Sequence, residues 1–493
     1  MSQSAAIPDA PSPDRARRRV PFVVLVLALL WPAQLVNASA VITAFAQAEI
    51  AQYFHTTQIA WFHVIYALVG TLLLPFAVKF SDMYGKRKVM TVLIVCGLVG
   101  DIICALASSY GVLLAGRAIA AGYVPVAALT LATARDVLPA RRAATATGVI
   151  GATLGALIAV GPLIAGWLLD GYGFRGAMWF VTICTAVGLL LIATIVPETP
   201  RYAESGGFDW VGGLLLAAST LGVMYGIGQG SVWGWTDLRV LGLIGGGLVL
   251  LAVFLRYERS AAHPLLNLKM LSRREVATVL GATSVVQGTA FATSAVMTAV
   301  IPLYPSIPGI SDGLGWTALH GATVGLPAGI VLFLVGIFSA IATRRFGVRA
   351  TWLAAMPVIV LGLVLQAFFH HNATQLILTG IVAALGTGVV YGCTPILVMS
   401  AVSAKEQAQA SGMSLMLVGL MSSLSGQILY TTLAGDAMVF HGTTLYHDGA
   451  YRNGYFVLAG IIMIGLVISL LIPRLRRLGV GEVANDAPAA VAS

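Results

Sequence analysis

Charge is scarce in this chain. Asp, Glu, Lys and Arg make up 10% of its 493 residues, against roughly 25% in soluble domains. No polar stretch between apolar segments is long enough to fold alone, which excludes the roughly three soluble domains that such a length would otherwise suggest. Cysteine is nearly absent. The four present, Cys96, Cys104, Cys184 and Cys393, lie within apolar runs; their spacing suggests no metal site, and they read as small buried hydrophobes. No cofactor fingerprint or nucleophile–base motif stands out, so an enzyme is not expected. The net charge of +9 would suit a nucleic-acid surface, but its distribution says otherwise.

Apolar runs are what the chain has in abundance, with hydrophobic residues at 58%. Runs of about 20 residues are long enough to cross a bilayer. They predict fourteen spans near 21–45, 57–78, 89–108, 112–134, 144–168, 177–196, 210–228, 238–255, 276–301, 318–342, 350–369, 374–401, 408–433 and 453–473. The first is too long for a cleaved signal, and no small-residue cleavage site precedes the second. Lys and Arg accumulate on the cytoplasmic side of membrane proteins. With the N-terminus inside, 24 of the 28 fall on inner segments. Arg175, Arg239 and Arg452 fall outside, and Arg117 lies within a span. The asymmetry supports an even span count with both termini cytoplasmic. Basic charge is here a topological device.

Asp101 is the acidic residue deepest inside an apolar span, 89–108. A carboxylate there costs at least a few kcal/mol unless paired or functional, about 2.5–3.5 kcal/mol on insertion scales. Spans 3 and 4 meet near Ser109, with Asp101 eight residues before it and Arg117 eight after. At 1.5 Å per residue both lie about 12 Å below that turn, His63 about 9 Å down span 2, and Asn37 about 12 Å below the outer end of span 1. These four are the proton-coupling candidates. An Asp101–Arg117 structural pair and a protonation role for Asp101 both stay open.

The inner loop after span 2 reads Ser81-Asp82-Met83-Tyr84-Gly85-Lys86-Arg87-Lys88. It resembles the D-x-x-G-[RK]-[RK] loop of the major facilitator superfamily. Span 4 carries Arg117 and Gly122, similar to that superfamily's R-x-x-x-G segment. Span 5 carries Gly148, Gly151, Gly155, Gly161-Pro162 and Gly166, similar to the glycine–proline motif of its drug:proton antiporters. Trp61, Tyr66, 174–180, 208–212 and 263–268 resemble the fourteen-span branch. Departures are Asn37 where that branch usually has an Asp, Val78 and Met83 in the loop motif, and Leu157 and Ala165 for glycines. The second-half loop, 344–349, carries no acid.

The expected fold is therefore an all-α polytopic membrane protein, a major facilitator fold of two six-helix bundles plus two inserted helices. Its expected divisions are a cytoplasmic tail at 1–20, the first bundle at 21–200, the inserted helices with their linkers at 201–275, the second bundle at 276–473 and a tail at 474–493. The resemblance implies a carrier exporting amphipathic drug-like compounds in exchange for protons, with export of a specific metabolite, lipid or siderophore as the alternative. A transport-inactive receptor would be expected to carry a soluble domain or signalling tail. Asp82, Gly85, Lys86, Arg87 and Asp136 are the gating-loop candidates. Trp31, Tyr66, Tyr123, Gln287, Phe291 and Tyr391 are the substrate-cavity candidates. No cofactor is expected beyond the proton gradient as energy source. Expected partners are the small-molecule substrate, protons and the lipid bilayer, with no nucleic acid; the chain is expected to be a monomer, and attachment of a periplasmic adaptor is left open. Arginine exceeds lysine by 23 to 5; this and heavy Ala, Gly and Val use point to a high-GC bacterium and its cytoplasmic membrane.

Overall fold

The computed structural model describes residues 21–199, 209–261, 264–403 and 406–473. Both expected tails and His263 lie outside the described residues. The described residues are mostly helical, in the order α1 (Phe22–Tyr53), α2 (Ala60–Tyr84), α3 (Lys86–Leu106), α4 (Tyr110–Ala120), α5 (Val126–Val137), α6 (Ala140–Thr194), α7 (Trp210–Trp233) and α8 (Leu238–Glu258). A single turn, α9 (Leu268–Leu271), precedes α10 (Arg274–Leu303), α11 (Ala318–Phe346), α12 (Val348–Phe368), α13 (Ala373–Ser400), α14 (Gln407–Leu433) and α15 (Asp448–Leu470). Among the described residues, thirteen helices are long and apolar enough to cross a membrane.

One element joins two of the expected spans. α6 runs for 55 residues, which as a straight helix would measure about 80 Å, more than twice the ~30 Å hydrocarbon core. It is not straight. Gly173, at φ 66° and ψ −177°, interrupts it. Its start follows Asp136, which binds Lys86, and near its end the Ala193 carbonyl accepts from Arg87. Both ends therefore lie beside the start of α3, and the element doubles back at Gly173. The glycine is needed because an L side chain rarely adopts that φ.

Two hairpins connect their helices through a shared glycine. Gly85, at φ 96°, ends α2 and starts α3, and Gly347, at φ 84°, does the same for α11 and α12. Between helices in lipid, close packing replaces the hydrophobic effect as the source of cohesion. A Cβ on Gly116 would lie 2.9 Å from the Cys104 amide nitrogen, and one on Gly362 would lie 2.5 Å from Ala383 Cα. Helix pairs α3–α4 and α12–α13 thus close on small residues in corresponding places of the two bundles. Apolar side chains stay exposed along the outer helices, as Leu214, Leu238 and Phe338 show; on membrane helices such faces meet hydrocarbon.

Of the inserted pair, α7 packs on α14 and α2, and α8 packs on α7. Asp209 caps α7 by accepting from the Gly212 amide at 2.8 Å, and it also accepts from the Tyr257 hydroxyl at 3.0 Å. Trp210 packs on Phe76 and Phe80 of α2. Two short hairpins, β1–β2 (Ser306–Ile307 with Ser311–Asp312) and β3–β4 (Ala437–Phe440 with Thr443–Tyr446), occupy the loops at the arginine-poor end. Cys104 and Cys393 are buried as expected, but Cys184 is only half-buried and Cys96 is exposed; the position of Cys96 on α3 turns it outward.

Candidate functional site

The buried polar groups singled out by the sequence lie inside the first bundle. Asp101, on α3, is 3% exposed. The Thr185 hydroxyl on α6 donates to its Oδ2 at 2.7 Å, and the Tyr123 hydroxyl donates to its Oδ1 at 3.5 Å. The same Thr185 hydroxyl lies 3.0 Å from the Val181 carbonyl. One hydroxyl proton cannot serve both acceptors, and that gives two complete arrangements. With Asp101 ionised, Thr185 donates to the carboxylate. With Asp101 protonated, the carboxyl donates to Thr185 and Thr185 donates to Val181. Both states are hydrogen-bonded, so neither carries the full penalty of an unsatisfied buried polar group.

Arg117 is 1% exposed, and among the described residues no carboxylate lies within 4.0 Å of it. The Asp101–Arg117 structural pair, one of the two readings left open by the sequence, is not formed. Arg117 points instead at α1, donating to Ser39 Oγ and to Thr43 Oγ1, each at 3.2 Å. Its guanidinium also sits over the Tyr66 ring at 4.1 Å and the Phe62 ring at 4.9 Å. Cation–π contact of this kind is strongest where the cation is desolvated. Helix rise sets only the expected depth of such groups; rotation about each helix axis decides their partners. Asn37 donates to Gln34 on its own helix at 3.2 Å. His63 is buried on α2 and faces Gly426 of α14, across the bundle boundary.

The gating-loop candidates do come together. Lys86 Nζ lies 2.6 Å from Asp136 and 3.7 Å from Asp82, and the Lys86 amide donates to Thr199 Oγ1 at 3.0 Å. Glu198 packs over Gly85. The loop motif is therefore clamped to the ends of α5 and α6, through partners that its local sequence does not show.

At the arginine-poor end the bundles are tied together. Asp170 of α6 accepts from the Ala318 amide at 2.8 Å and the Leu319 amide at 3.0 Å, the first two residues of α11. Thr317 takes the third free amide, that of His320, at 3.2 Å. Helix starts leave such amides unpaired, so one bundle caps a helix of the other. Gly166 makes this approach feasible, because a Cβ there would lie 2.6 Å from Leu319 Cα. Gly161 meets Val41 of α1, and Pro162 lies within α6. Gly148, Gly151 and Gly155 lie on α6, and their surroundings fall outside the described residues. The Tyr430 hydroxyl donates to Gln47. The Thr443 hydroxyl donates to the Ala51 carbonyl at 3.1 Å. Beside this seal a cavity of about 200 Å³ lies between the bundles, lined by Phe45, Ala48, Glu49, Asp170 and Trp316 among others.

The cavity candidates divide. Tyr66 and Tyr123 are buried with Arg117 and Asp101. The Trp31 indole donates to the Cys184 carbonyl at 2.9 Å, which ties α1 to α6. On the other bundle, Phe291 and Tyr391 stack at 5.2 Å between ring centres, with the half-buried Gln287 one turn before Phe291 on α10. Sequence reasoning missed Thr185, Glu49 and Asp170. The two acids sit near helix ends, where carboxylates are ordinary, and threonine in an apolar span carries little signal.

The comparisons with known proteins agree on the fold. A model of the Major Facilitator Superfamily matches residues 30–426. The chain is 27% identical to an uncharacterized MFS-type transporter of Mycobacterium tuberculosis (strain ATCC 25618 / H37Rv), over 76% of this chain and 53% of that protein. It is 26% identical to multidrug resistance protein Stp of Mycobacterium tuberculosis (strain CDC 1551 / Oshkosh), over 76% of this chain and 68% of that one. The match thus spans about half the length of the first of these relatives. Among solved structures, the chain is similar to a peptide transporter POT in complex with sulfate, with a TM-score of 0.64 and 12% identity over 92% of this chain and 94% of that one. At that identity the likeness speaks for the fold alone.

Proposed function

The chain belongs to the major facilitator superfamily and is a multi-pass membrane transporter, and we propose that it exports amphipathic drug-like compounds in exchange for protons. The observation that carries this reading is the Asp101–Thr185–Val181 arrangement. A buried carboxyl with a complete hydrogen-bond set in either protonation state is what a proton-coupled carrier requires. The 26% identity to a multidrug resistance protein supports the substrate class, as does the stacked aromatic pair Phe291–Tyr391 in the second bundle.

In this reading the helices make fourteen crossings of a bacterial cytoplasmic membrane, with both termini and the Lys86 clamp on the cytoplasmic side. The protein works as a monomer, with the proton gradient as its energy source. The two bundles rock about the central site, as in other carriers built from repeated halves. The conformation described is sealed at the arginine-poor, outward end by Asp170, Gly166 and Tyr430. Substrate enters from the cytoplasmic side, and proton binding at Asp101 resets the carrier. The inserted α7, backed by α8, braces α2 and α14.

The test is transport by the purified chain in proteoliposomes with an imposed pH gradient, over a panel of cationic, neutral and anionic amphipaths. Asp101→Asn is expected to abolish uphill export and to spare downhill exchange. Substrate-induced proton release in detergent is expected to vanish in the same variant. Release that is unchanged in Asp101→Asn would refute the coupling role.

A further inference from the structure

A cluster at the arginine-poor end plays no part in the transport path. His370 and His371 lie in the connection between α12 and α13, and Asp448 begins α15. His370 is 2% exposed. Its Nδ1 lies 2.8 Å from the Gln366 carbonyl, an oxygen that only accepts, so Nδ1 carries the proton and Nε2 of the neutral ring offers a lone pair. That Nε2 is buried without a hydrogen-bond partner, yet Asp448 Oδ1 stands 3.0 Å away, outside hydrogen-bond geometry. His371 Nε2 lies 2.8 Å from the same oxygen. On the His370 side an acceptor thus faces an acceptor across a gap that calls for a positive charge, while the His371 ring hydrogen-bonds the same oxygen.

A proton on His370 would supply that charge, but only by placing an imidazolium in a site that is almost wholly buried. A metal ion supplies it without that cost. The three ligand atoms lie within 4.8 Å of one another; two bonds to zinc of about 2.0–2.2 Å span at most about 4.4 Å, so the widest pair has to draw in slightly around an ion. His371 and Asp448 are solvent-exposed enough to adjust, while His370 is held by its carbonyl bond, the usual way a ligating imidazole is oriented. The Asp448 amide donates to Asp312 Oδ2 at 2.9 Å, so a second carboxylate supports the site from outside.

We propose that His370, His371 and Asp448 bind a divalent transition-metal ion of the zinc class. Two imidazoles and one carboxylate match zinc and its neighbours in the first transition row; magnesium and calcium prefer all-oxygen shells. Three protein ligands leave a fourth position for water. The ion would staple the α12–α13 turn to the start of α15, adjacent helices of the second bundle. This inference stands apart from the proposed transport activity.

The test uses the full-length protein in detergent, with any affinity tag removed, stripped with chelator and then titrated with Zn²⁺ or Mg²⁺. Metal content after dialysis and thermal unfolding are the readouts. Wild type is expected to hold about one zinc per chain and to unfold at a higher temperature with zinc than without; magnesium should do neither. Asp448→Asn and His371→Ala are expected to weaken zinc binding at least tenfold and to abolish the thermal shift. His55→Ala, in a different loop, should change neither readout. Cobalt absorption in wild type reports the nitrogen and oxygen ligand set even where a variant folds poorly. No zinc on folded wild type, or equal zinc on wild type and on both ligand variants, would overturn the proposal.

Discussion

Removing the Asp170 carboxylate should open the arginine-poor seal by a measurable amount. Asp170 is the sole partner described for the Ala318 and Leu319 amides besides solvent, and it reaches them from the opposite bundle. The contact therefore exists only while the bundles are closed at that end, and its whole free energy biases the conformational equilibrium. Losing a capping side chain costs ~0.5–2 kcal/mol, and a negative charge at a helix start contributes ~0.3–1 kcal/mol. Thr317 continues to hold the His320 amide, so α11 keeps part of its cap and the helix itself survives. A net loss of about 1–2 kcal/mol corresponds to a roughly fivefold to thirtyfold change in the sealed-to-open ratio. Ala48 is buried beside the seal, and Ala48→Cys in a background freed of the four native cysteines reports opening. The rate of its modification by an impermeant maleimide tracks the open population when opening is fast. Asp170→Ala should raise that rate roughly fivefold to thirtyfold, and Asp170→Asn, which keeps one acceptor oxygen, should fall between. An unchanged rate in Asp170→Ala, with wild-type expression, would refute the reasoning that this cap holds the seal.

Gly166→Val places a side chain where Leu319 already lies; it should leave membrane insertion intact, lower transport, and raise the same maleimide rate. Gly85→Val forces a β-branched residue to φ 96° against Glu198, which should cost about 1–3 kcal/mol in whichever state keeps that turn and slow turnover at normal expression. Lys86→Met leaves Asp82 and Asp136 facing each other without their cation; thermal unfolding should show a loss of about 1.5–3 kcal/mol, the worth of a charged hydrogen bond, and Asp136→Asn in the same chain should recover part of it. Arg117→Ala removes a buried guanidinium from two rings and two hydroxyls, so it should reduce the yield of folded protein more than Asp101→Asn does.

How far the sequence reached depends on the range of each interaction. The hairpin at Gly85 was legible because turn, charge and span boundary lie within eight residues, and its conformation is one that glycine alone adopts freely. The second-half hairpin uses the same turn at Gly347 with a different charge pattern. Its place in the second half and its lack of an acid were both visible. Asp101 and Arg117 were legible as buried charges, and an expected common depth followed from helix rise. Their pairing did not follow, because rise fixes height while rotation about each helix axis fixes direction. Thr185 lies 84 residues beyond Asp101, and nothing in the local pattern aims it. The same limit hid Asp170. A carboxylate near a span end reads as a membrane-surface residue until a second bundle brings a helix start against it. Gly173 is the instructive case. The loop between the fifth and sixth spans was expected to separate them, yet both helices run on until they meet at that one glycine. Hydropathy marks where lipid begins, whereas helix ends are set by backbone conformation, and at Gly173 a single positive φ suffices to turn the chain.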